Sequence, residues 1–384
     1  MRSVFAAIAV AGVWLLTPPA LGQAQPDQGA SAAIPPRSAA VRAVDPAGIR
    51  NLASSQTYRP PAGIVFKASD FISENVRLTA QWFYARENEG KTLPTVIIAH
   101  GWGGTAAAFR QDAVDLARAG YLVMLFDYRG WGDSDGRVVL TRQRPDNAGA
   151  DSAFTAEVKE LRGYIDPWEQ NEDWFNAISY AVTQRMVDPE RIGIRGSSYS
   201  GGHVVYVAAH EPRVKVLVSQ VGSLDSRPMA PYQPAPAQSI KDANAAASLI
   251  ATGEAQYPSD RARVVGNLIG APVGNKLLRW APVEDAHRVT QPALFIMAQN
   301  EELFSNARNG LLACERVKGP RKAIMVPGIT HYGIYGAERG LAINAAIDWF
   351  DRYLKTSGAP TRVPLDRSQP ERGDCRAPFV RPAG

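Results

Sequence analysis

The segment at 192–202 constrains the fold of this chain more than any other, and it reads IGIRGSSYSGG. An apolar β-type run precedes Ser198 and a helical stretch follows it, with Gly196 two residues before and Ser200 two residues after. A serine between a strand and a helix adopts a strained backbone conformation that pushes its Oγ out above the sheet. Small flanking residues are needed because the strand and the helix approach each other closely there. The segment therefore predicts Ser198 as a nucleophile.

Two other interpretations of this segment remain open from its residues alone. Ser197 and Ser200 are alternative nucleophiles, although neither has small residues at both flanking positions of the same turn. A Gly/Ser-rich stretch can also serve only to cap a helix. The choice depends on whether the rest of the chain supplies partners for a nucleophilic serine.

A serine nucleophile needs an adjacent base, and the chain has five histidines to supply it. In a strand–serine–helix arrangement of this kind the chain order is serine, then acid, then histidine. That order excludes His100, and His203 and His210 belong to the helix after the serine. His287 precedes a strand, where we expect a structural or surface role. His331 follows the last strand, at the sheet edge where open α/β folds bind ligands, and it is the predicted base.

The acid that orients the histidine is expected on the loop after the preceding strand. That loop, 298–304, reads AQNEELF. Either Glu301 or Glu302 can orient the imidazole and stabilise its charged form, and one of the two can equally be a surface charge. Asp225, after an earlier strand, is the alternative if neither glutamate serves.

Acyl transfer also requires hydrogen-bond donors for the oxyanion. An apolar run ending at His100 opens into HGWGG at 100–104, where glycines let the backbone approach a substrate. The predicted donors are the backbone N–H groups of Trp102 and Tyr199. We expect His100 itself to be a structural residue, while the Trp102 side chain suits either a pocket wall or the core.

The body of the chain alternates short apolar β-type runs with longer helical stretches. Strands are predicted at 95–100, 121–126, 191–195, 214–219, 292–297 and 322–326, and two antiparallel edge strands within 64–85. Helices are predicted at 105–119, in a long region leading to Arg185, at 201–210 and at 339–354. This alternation indicates an α/β fold with a mostly parallel sheet and helices on both faces. The stretch 224–286 lacks a clear strand and suits a helical cap, with helices at 239–251 and 260–269.

The two ends of the chain differ from this body. Residues 1–22 have Arg2, an apolar stretch and small residues near Gly22, which together predict a cleaved signal peptide and export to the periplasm or medium. The composition of residues 23–61 indicates a flexible leader, and that of residues 357–384 indicates a Pro/Arg-rich tail. The domain between them is expected at 62–356. No other stretch is long and apolar enough to insert stably in a membrane.

Charge and cysteine content narrow the function classes. The net charge is only +5 and Lys and Arg form no long run, which argues against nucleic-acid binding. Cys314 and Cys375 are the two cysteines, and an oxidising compartment allows them one pairing. Because no His/Cys cluster accompanies them, no zinc site is predicted.

In these predicted site residues and strands, the sequence resembles the α/β-hydrolase superfamily, in particular its dienelactone-hydrolase-like and acetyl-xylan-esterase or X-Pro-peptidase-like branches. The resemblance lies in HGWGG at 100–104, FDYRGWGDSDG at 126–136, DPWEQNEDWFNAISY at 166–180, VDPERIGIRGSSYSGGHV at 187–204 and GITHYGIYG at 328–336. It implies that Glu301, three residues after the small residue that ends the strand, is the acid. We expect Asp127 and Arg129, near the edge of the site, to be structural. Asp166, Trp168 and Glu169 suit either pocket lining or a helix cap, and we favour the cap.

Two departures bear on the activity that the resemblance implies. Dienelactone hydrolases use a cysteine nucleophile, whereas this chain has Ser198. X-Pro peptidases carry a large β domain after the histidine, and the short stretch after His331 leads us to expect no such domain. The expected activity is hydrolysis of carboxylic esters of small molecules through an acyl-enzyme, without a cofactor. Acyl transfer or peptide cleavage by the same residues, or an inactive binding protein, are the alternatives.

Overall fold

The computed structural model describes residues 57–146, 154–228, 236–252, 269–355 and Cys375. In chain order the strands are β1 (Ile64–Ser73), β2 (Val76–Ala85), β3 (Leu93–Ala99), β4 (Leu122–Phe126), β5 (Arg137–Leu140), β6 (Val158–Leu161), β7 (Tyr164–Ile165), β8 (Val187–Ser197), β9 (Val214–Gln220), β10 (Ala271–Pro272), β11 (Ala293–Ala298) and β12 (Arg321–Val326). The α-helices are α1 (Arg110–Arg118), α2 (Pro167–Ala181), α3 (Tyr199–His210), α4 (Pro236–Ala251), α5 (Gly274–Leu277), α6 (Pro282–Asp285), α7 (Gly310–Arg316) and α8 (Arg339–Leu354).

An eight-stranded sheet organises the fold, in the order β1-β2-β4-β3-β8-β9-β11-β12. The pairs from β4 to β12 are parallel, while β1 pairs with β2 and β2 with β4 in antiparallel fashion. The predicted α/β-hydrolase fold with a mostly parallel sheet is thus confirmed. Because parallel strands end at one edge, the loops after β3, β8, β11 and β12 meet there.

Each face of the sheet packs against its own set of helices. Within β3, Ile97 and Ala99 belong to one core with residues of α2, α3 and α7, whereas Val96 and Ile98 belong to a second core with α1 and α8. This alternation follows from the two-residue period of a strand. Both faces are buried, which explains why the central strands appear in the sequence as continuous apolar runs.

Outside the region predicted as a cap, the predicted elements agree with the structure except between β4 and α2. The sequence indicated a long helical region leading to Arg185, but the helix there is only α2. Before it, β5 and β6 form an antiparallel hairpin, pairing from Arg137 with Leu161 to Leu140 with Val158. Every residue of β5 is exposed, so its apolar side chains carry no burial pattern that would distinguish a strand.

The region predicted as a helical cap contains α4, α5 and α6, in agreement with the helix predicted at 239–251. It also contains β10, a two-residue strand parallel to β7, where none was expected. The helix predicted at 260–269 lies almost wholly outside the described residues. So do the predicted signal peptide, most of the leader and, apart from Cys375, the tail. No helix in the described ranges is long and apolar enough to cross a membrane.

Cys314 on α7 and Cys375 form a disulfide with a Cα–Cα distance of 5.6 Å, which is the pairing expected from the sequence. Both residues are buried. The bond joins residues 61 positions apart, and a loop of that length corresponds to about 4 kcal/mol of stabilisation in the chain-entropy model.

We therefore expect the double variant Cys314→Ser, Cys375→Ser to lose about 4 kcal/mol of unfolding free energy in urea titrations without dithiothreitol. The wild type in dithiothreitol should show the same loss. Equal stability of oxidised wild type and double variant would contradict this prediction.

Candidate active site

The turn that carries Ser198 has the strained geometry that the sequence predicted. β8 ends at Ser197 and α3 begins at Tyr199, and Ser198 between them has φ 58° and ψ −123°. A positive φ is uncommon for a residue other than glycine, and it is maintained only where the surroundings impose it. A Cβ added at Gly196 would lie 2.0 Å from the carbonyl oxygen of Ser200, so the strand can meet the helix here only without a side chain.

Ser198, His331 and Glu301 form one chain of hydrogen bonds. The Ser198 Oγ lies 2.9 Å from His331 Nε2. His331 Nδ1 lies 2.8 Å from Glu301 Oε2 and 3.0 Å from Oε1. A carboxylate only accepts hydrogen bonds, so the ring proton resides on Nδ1 and Nε2 is left as an acceptor for the serine hydroxyl. The structure thus brings together the three residues predicted as nucleophile, acid and base.

The two adjacent glutamates bind different parts of His331. The side chain of Glu301 is only 1% exposed and binds the ring, whereas Glu302 is an exposed residue. The Oε2 of Glu302 nevertheless accepts a hydrogen bond of 2.7 Å from the backbone N–H of His331. The sequence analysis left one of the two glutamates as a surface charge and did not predict this contact, which holds the loop backbone and not the imidazole.

The neighbouring serines are held by other groups. The Ser197 Oγ hydrogen bonds the Tyr335 hydroxyl at 2.7 Å and accepts from Gln220 Nε2 at 3.0 Å. The Ser200 Oγ lies 2.9 Å from the hydroxyl of Tyr128. Both serines are completely buried, and neither hydroxyl contacts a histidine within the described residues. This arrangement favours Ser198 over both alternatives.

The HGWGG segment runs directly past Ser198. A Cβ at Gly101 would lie 2.7 Å from the Ser198 Cβ and 2.8 Å from the Ser197 carbonyl oxygen, so only glycine fits there. The next residue, Trp102, packs edge-on against Tyr199 with ring centroids 5.1 Å apart. The residues whose N–H groups were predicted to bind an oxyanion therefore flank Ser198 on two sides, and the Trp102 ring is part of the aromatic packing beside it.

The alternative acid and the other histidines have structural contacts instead. Asp225 accepts two hydrogen bonds from the guanidinium of Arg227 and one from its backbone N–H. His287 Nδ1 lies 2.6 Å from the carbonyl oxygen of Glu284 in an exposed setting, as expected for a surface residue. His100 is buried, with Nδ1 2.9 Å from the Gly101 carbonyl oxygen and Nε2 accepting from Tyr128 N–H, which fixes one neutral tautomer.

Burial keeps two histidines near the site uncharged. It lowers the pKa of His100 to about 4 and that of His203 to about 3. In the unfolded chain both rings take up a proton below about pH 6.5, whereas in the folded chain they remain neutral until much lower pH. The unfolded state thus binds more protons in this window, so the stability from each neutral ring is lost as pH falls from about 6.5 toward the folded pKa.

We expect His203→Asn, whose amide keeps a donor toward the Tyr199 carbonyl oxygen, to reduce this acid sensitivity. Between pH 6.5 and 4.5 each neutral buried histidine contributes a loss of roughly 2–3 kcal/mol in unfolding free energy. Urea titrations at the two pH values should therefore show a smaller loss in the variant than in the wild type. Identical losses would show that His203 does not stay neutral in the folded protein.

Asp127 and Asp166 have the backbone contacts expected of structural residues. Asp127 accepts hydrogen bonds from the N–H groups of Ala106 and Asp133 in the Gly-rich turn after β4. Asp166 is the N-cap of α2 and accepts from the N–H groups of Trp168 and Glu169. These contacts fix the loops that border the catalytic edge of the sheet.

Comparison with known proteins places this chain in a family. The family model described as X-Pro dipeptidyl-peptidase (S15 family) matches residues 74–267, about half of the chain. The quorum-quenching protein AidA of Acinetobacter baumannii is 34% identical over 154 residues, 39% of this chain and 41% of that protein. The thiohydrolase aneE of Aspergillus aculeatus is 29% identical over 127 residues, 33% of each chain. The chain thus spans well under half the length of these curated relatives.

A solved structure agrees with this placement at the level of the fold. The α/β hydrolase GrgF from Penicillium sp. superposes with a TM-score of 0.59 at 18% identity, covering 76% of this chain and 99% of that one. At this identity the likeness concerns the fold alone. Together with the family match, it shows that the chain belongs to the X-Pro dipeptidyl-peptidase (S15) family, within the α/β hydrolases.

Proposed function

We propose that this protein is a serine hydrolase that cleaves carboxylic esters through an acyl-enzyme intermediate on Ser198. The observation that carries the proposal is the continuous chain of hydrogen bonds from Ser198 through His331 to Glu301. A serine hydroxyl is a weak nucleophile until a base removes its proton, and here the base and its orienting carboxylate are already in contact.

In the proposed first step the Ser198 Oγ attacks the ester carbonyl carbon while His331 Nε2 takes the hydroxyl proton. The imidazolium that forms is stabilised by the buried Glu301 carboxylate on its other nitrogen. The carbonyl oxygen of the ester becomes an oxyanion, and we propose that the N–H groups of Trp102 and Tyr199 bind it. Collapse of this intermediate releases the alcohol, which takes its proton from His331 and leaves the acyl group on Ser198.

In the second step a water molecule attacks the acyl carbon and gives a proton to His331. The same oxyanion donors then stabilise the second tetrahedral intermediate, and its collapse releases the carboxylic acid and restores the Ser198 hydroxyl. Protein residues alone perform every proton transfer in this scheme, so it requires no cofactor.

The relatives bear on the kind of bond that is cleaved. One is named a thiohydrolase, and the family is named for X-Pro dipeptidyl-peptidases. Thioesters and peptides present the same electrophilic carbonyl, so the same three residues would act on them. A peptide bond is the second candidate substrate, and the family name is the observation that favours it.

A substrate panel distinguishes these activities. The panel contains p-nitrophenyl esters of graded acyl length, an acyl thioester with thiol detection, and Ala-Pro-p-nitroanilide, each tested with wild type and Ser198→Ala. We expect the wild type to have its highest kcat/KM on an oxygen ester. We expect Ser198→Ala to turn over none of the substrates. Higher kcat/KM on the anilide would replace the esterase proposal with the peptidase, and turnover of no substrate by wild type would contradict both.

We also propose that the protein is exported, on the basis of the signal-like sequence at 1–22. Expression of the full chain in a Gram-negative host, followed by osmotic shock, tests this proposal. We expect a shortened product in the periplasmic fraction, with its N-terminus near residue 23 or 25. A full-length product in the cytoplasmic fraction would contradict export.

A further inference from the structure

A cavity of about 390 Å³ lies between α2, the base of the β5–β6 hairpin and the cap helices α4 and α5. Its size is within the range of small-molecule pockets. Ser198, His331, Trp102 and Tyr199 are all absent from the described residues that line it. Within the described residues, the cavity is therefore lined by side chains other than the predicted catalytic ones.

The lining of the cavity combines apolar and polar residues. The apolar ones are Leu161, Val273 and three residues of α4, namely Ala247, Ile250 and Ala251. The polar ones include Arg129, Gln170 and Asn275. An occupant that matches both kinds of residue must have an aliphatic part and a polar group.

Three polar residues of the lining have buried atoms that make no hydrogen bond within the described residues, although one of these atoms, Arg129 Nη1, lies 3.9 Å from a Glu169 carboxylate oxygen. These atoms are the Nη1 of Arg129, the Oε1 of Gln170 and the Oδ1 of Asn275. Arg129 and Gln170 are at least nine-tenths buried. A buried polar atom without a partner costs about 1–3 kcal/mol, so a ligand that supplied both an acceptor and a donor would recover part of that cost.

The charged groups that line the cavity are already neutralised by one another. Arg129 binds Asp173 through Nε at 2.9 Å and Nη2 at 2.6 Å. Arg137 binds Glu169 at 2.9 Å, and Lys276 forms an ion pair with Asp166. A ligand with a net charge would either break one of these pairs or add an uncompensated charge to a partly buried site, and both are costly. Burial and the nearby Asp166 also raise the pKa of Glu169, which indicates that this region disfavours further negative charge.

From these observations we infer a second ligand site in this cavity, specific for an uncharged amphipathic small molecule. The ligand carries a group that both donates and accepts hydrogen bonds, such as a primary amide or a hydroxyl, on an aliphatic chain. Its polar group accepts from Arg129 Nη1 and donates to the Gln170 or Asn275 oxygen, and its chain lies against α4.

Three probes of equal chain length test the charge requirement: hexanamide, hexanoate and hexylamine, titrated calorimetrically into the full chain at pH 7. We expect hexanamide to bind at least about tenfold more tightly than either charged probe, a difference of about 1.4 kcal/mol. Equal or tighter binding of a charged probe would overturn the inference.

A matched pair of variants on α4 locates the bound probe. Ala247 lines the cavity, whereas its neighbour Ala246 is exposed and does not. Ala247→Leu should fill the cavity and abolish hexanamide binding, while Ala246→Leu should bind as the wild type does. Because leucine and alanine both favour helix, neither change disturbs α4 through its propensity. Binding that survives Ala247→Leu would overturn the assignment.

Labelling of the nucleophile separates this cavity from the catalytic pocket. Wild type whose Ser198 has reacted with a fluorophosphonate should bind hexanamide with unchanged affinity. Loss of binding after labelling would show that the probe occupies the catalytic pocket, which would overturn a second site. The three-probe titrations and the α4 variants use binding alone, so they remain informative even if the proposed esterase activity is wrong.

Discussion

Replacing Ser198 with alanine should lower kcat for ester hydrolysis by at least about 10⁴ while the protein stays folded. The expected loss is large because Ser198 alone combines the strained turn, the contact with His331 and the position beside Gly101. Alanine removes only the hydroxyl and adds no bulk. The circular dichroism spectrum and the urea midpoint should therefore stay close to those of the wild type.

Ser197→Ala and Ser200→Ala are the matched controls for this prediction. Both hydroxyls are buried and bound to tyrosines, so we expect some loss of stability but turnover within about tenfold of the wild type. Substantial turnover by Ser198→Ala together with an inactive Ser200→Ala would move the nucleophile by two residues.

Replacing Glu301 with glutamine should lower kcat by at least about 10². A glutamine amide cannot carry the negative charge that stabilises the imidazolium, and its N–H₂ group would favour the wrong tautomer of His331. The Glu301 side chain is buried, so no solvent compensates for the lost charge. KM should change much less than kcat, because the loss concerns the transition state.

Glu302→Gln is the control for this second prediction, since the two glutamates are adjacent and only Glu301 binds the ring. The glutamine oxygen can still accept the hydrogen bond from the His331 backbone N–H, so we expect little loss of turnover. The opposite ranking would transfer the acid role to Glu302. Near-wild-type rates in both variants would place the acid elsewhere in the chain.

The strand–serine–helix turn was predictable because its requirements are local. Gly196 and Ser200 must be small where β8 meets α3, and a close contact of this kind leaves a recognisable pattern in the sequence. The central strands were predictable for a related reason, since burial on both faces produces continuous apolar runs. Bounds such as those of α8 at 339–354 agree with the expectation from its amphipathic pattern.

The β5–β6 hairpin was not predictable because it buries almost nothing. Val138 and Val139 are 61% and 50% exposed, so apolar residues occur there without an inward-facing set. Periodicity identifies an element only when one of its faces is buried. From the sequence alone, a helix is therefore as plausible as a strand for the residues of β5 and β6.

The contacts around the candidate site depend on side-chain directions that adjacent residues do not share. Sequence order placed Glu301 and Glu302 on one loop, but only the folded turn sends one carboxylate to the imidazole and the other to the backbone of His331. The cavity between α2, α4 and α5 is even harder to predict from the sequence, because its lining comes from segments as distant as Arg129 and Lys276. No local pattern records that these segments meet.

The central claim is that Ser198 is the nucleophile of an acyl-enzyme, and fluorophosphonate labelling mapped by tandem mass spectrometry tests it most directly. The phosphonate reacts only with an activated hydroxyl, so it reports on the contact with His331 and not merely on exposure. We predict a single adduct on Ser198, suppressed by an ester substrate and absent from Ser198→Ala and His331→Ala. An unlabelled wild type, or an adduct on Ser197 or Ser200, would contradict the claim.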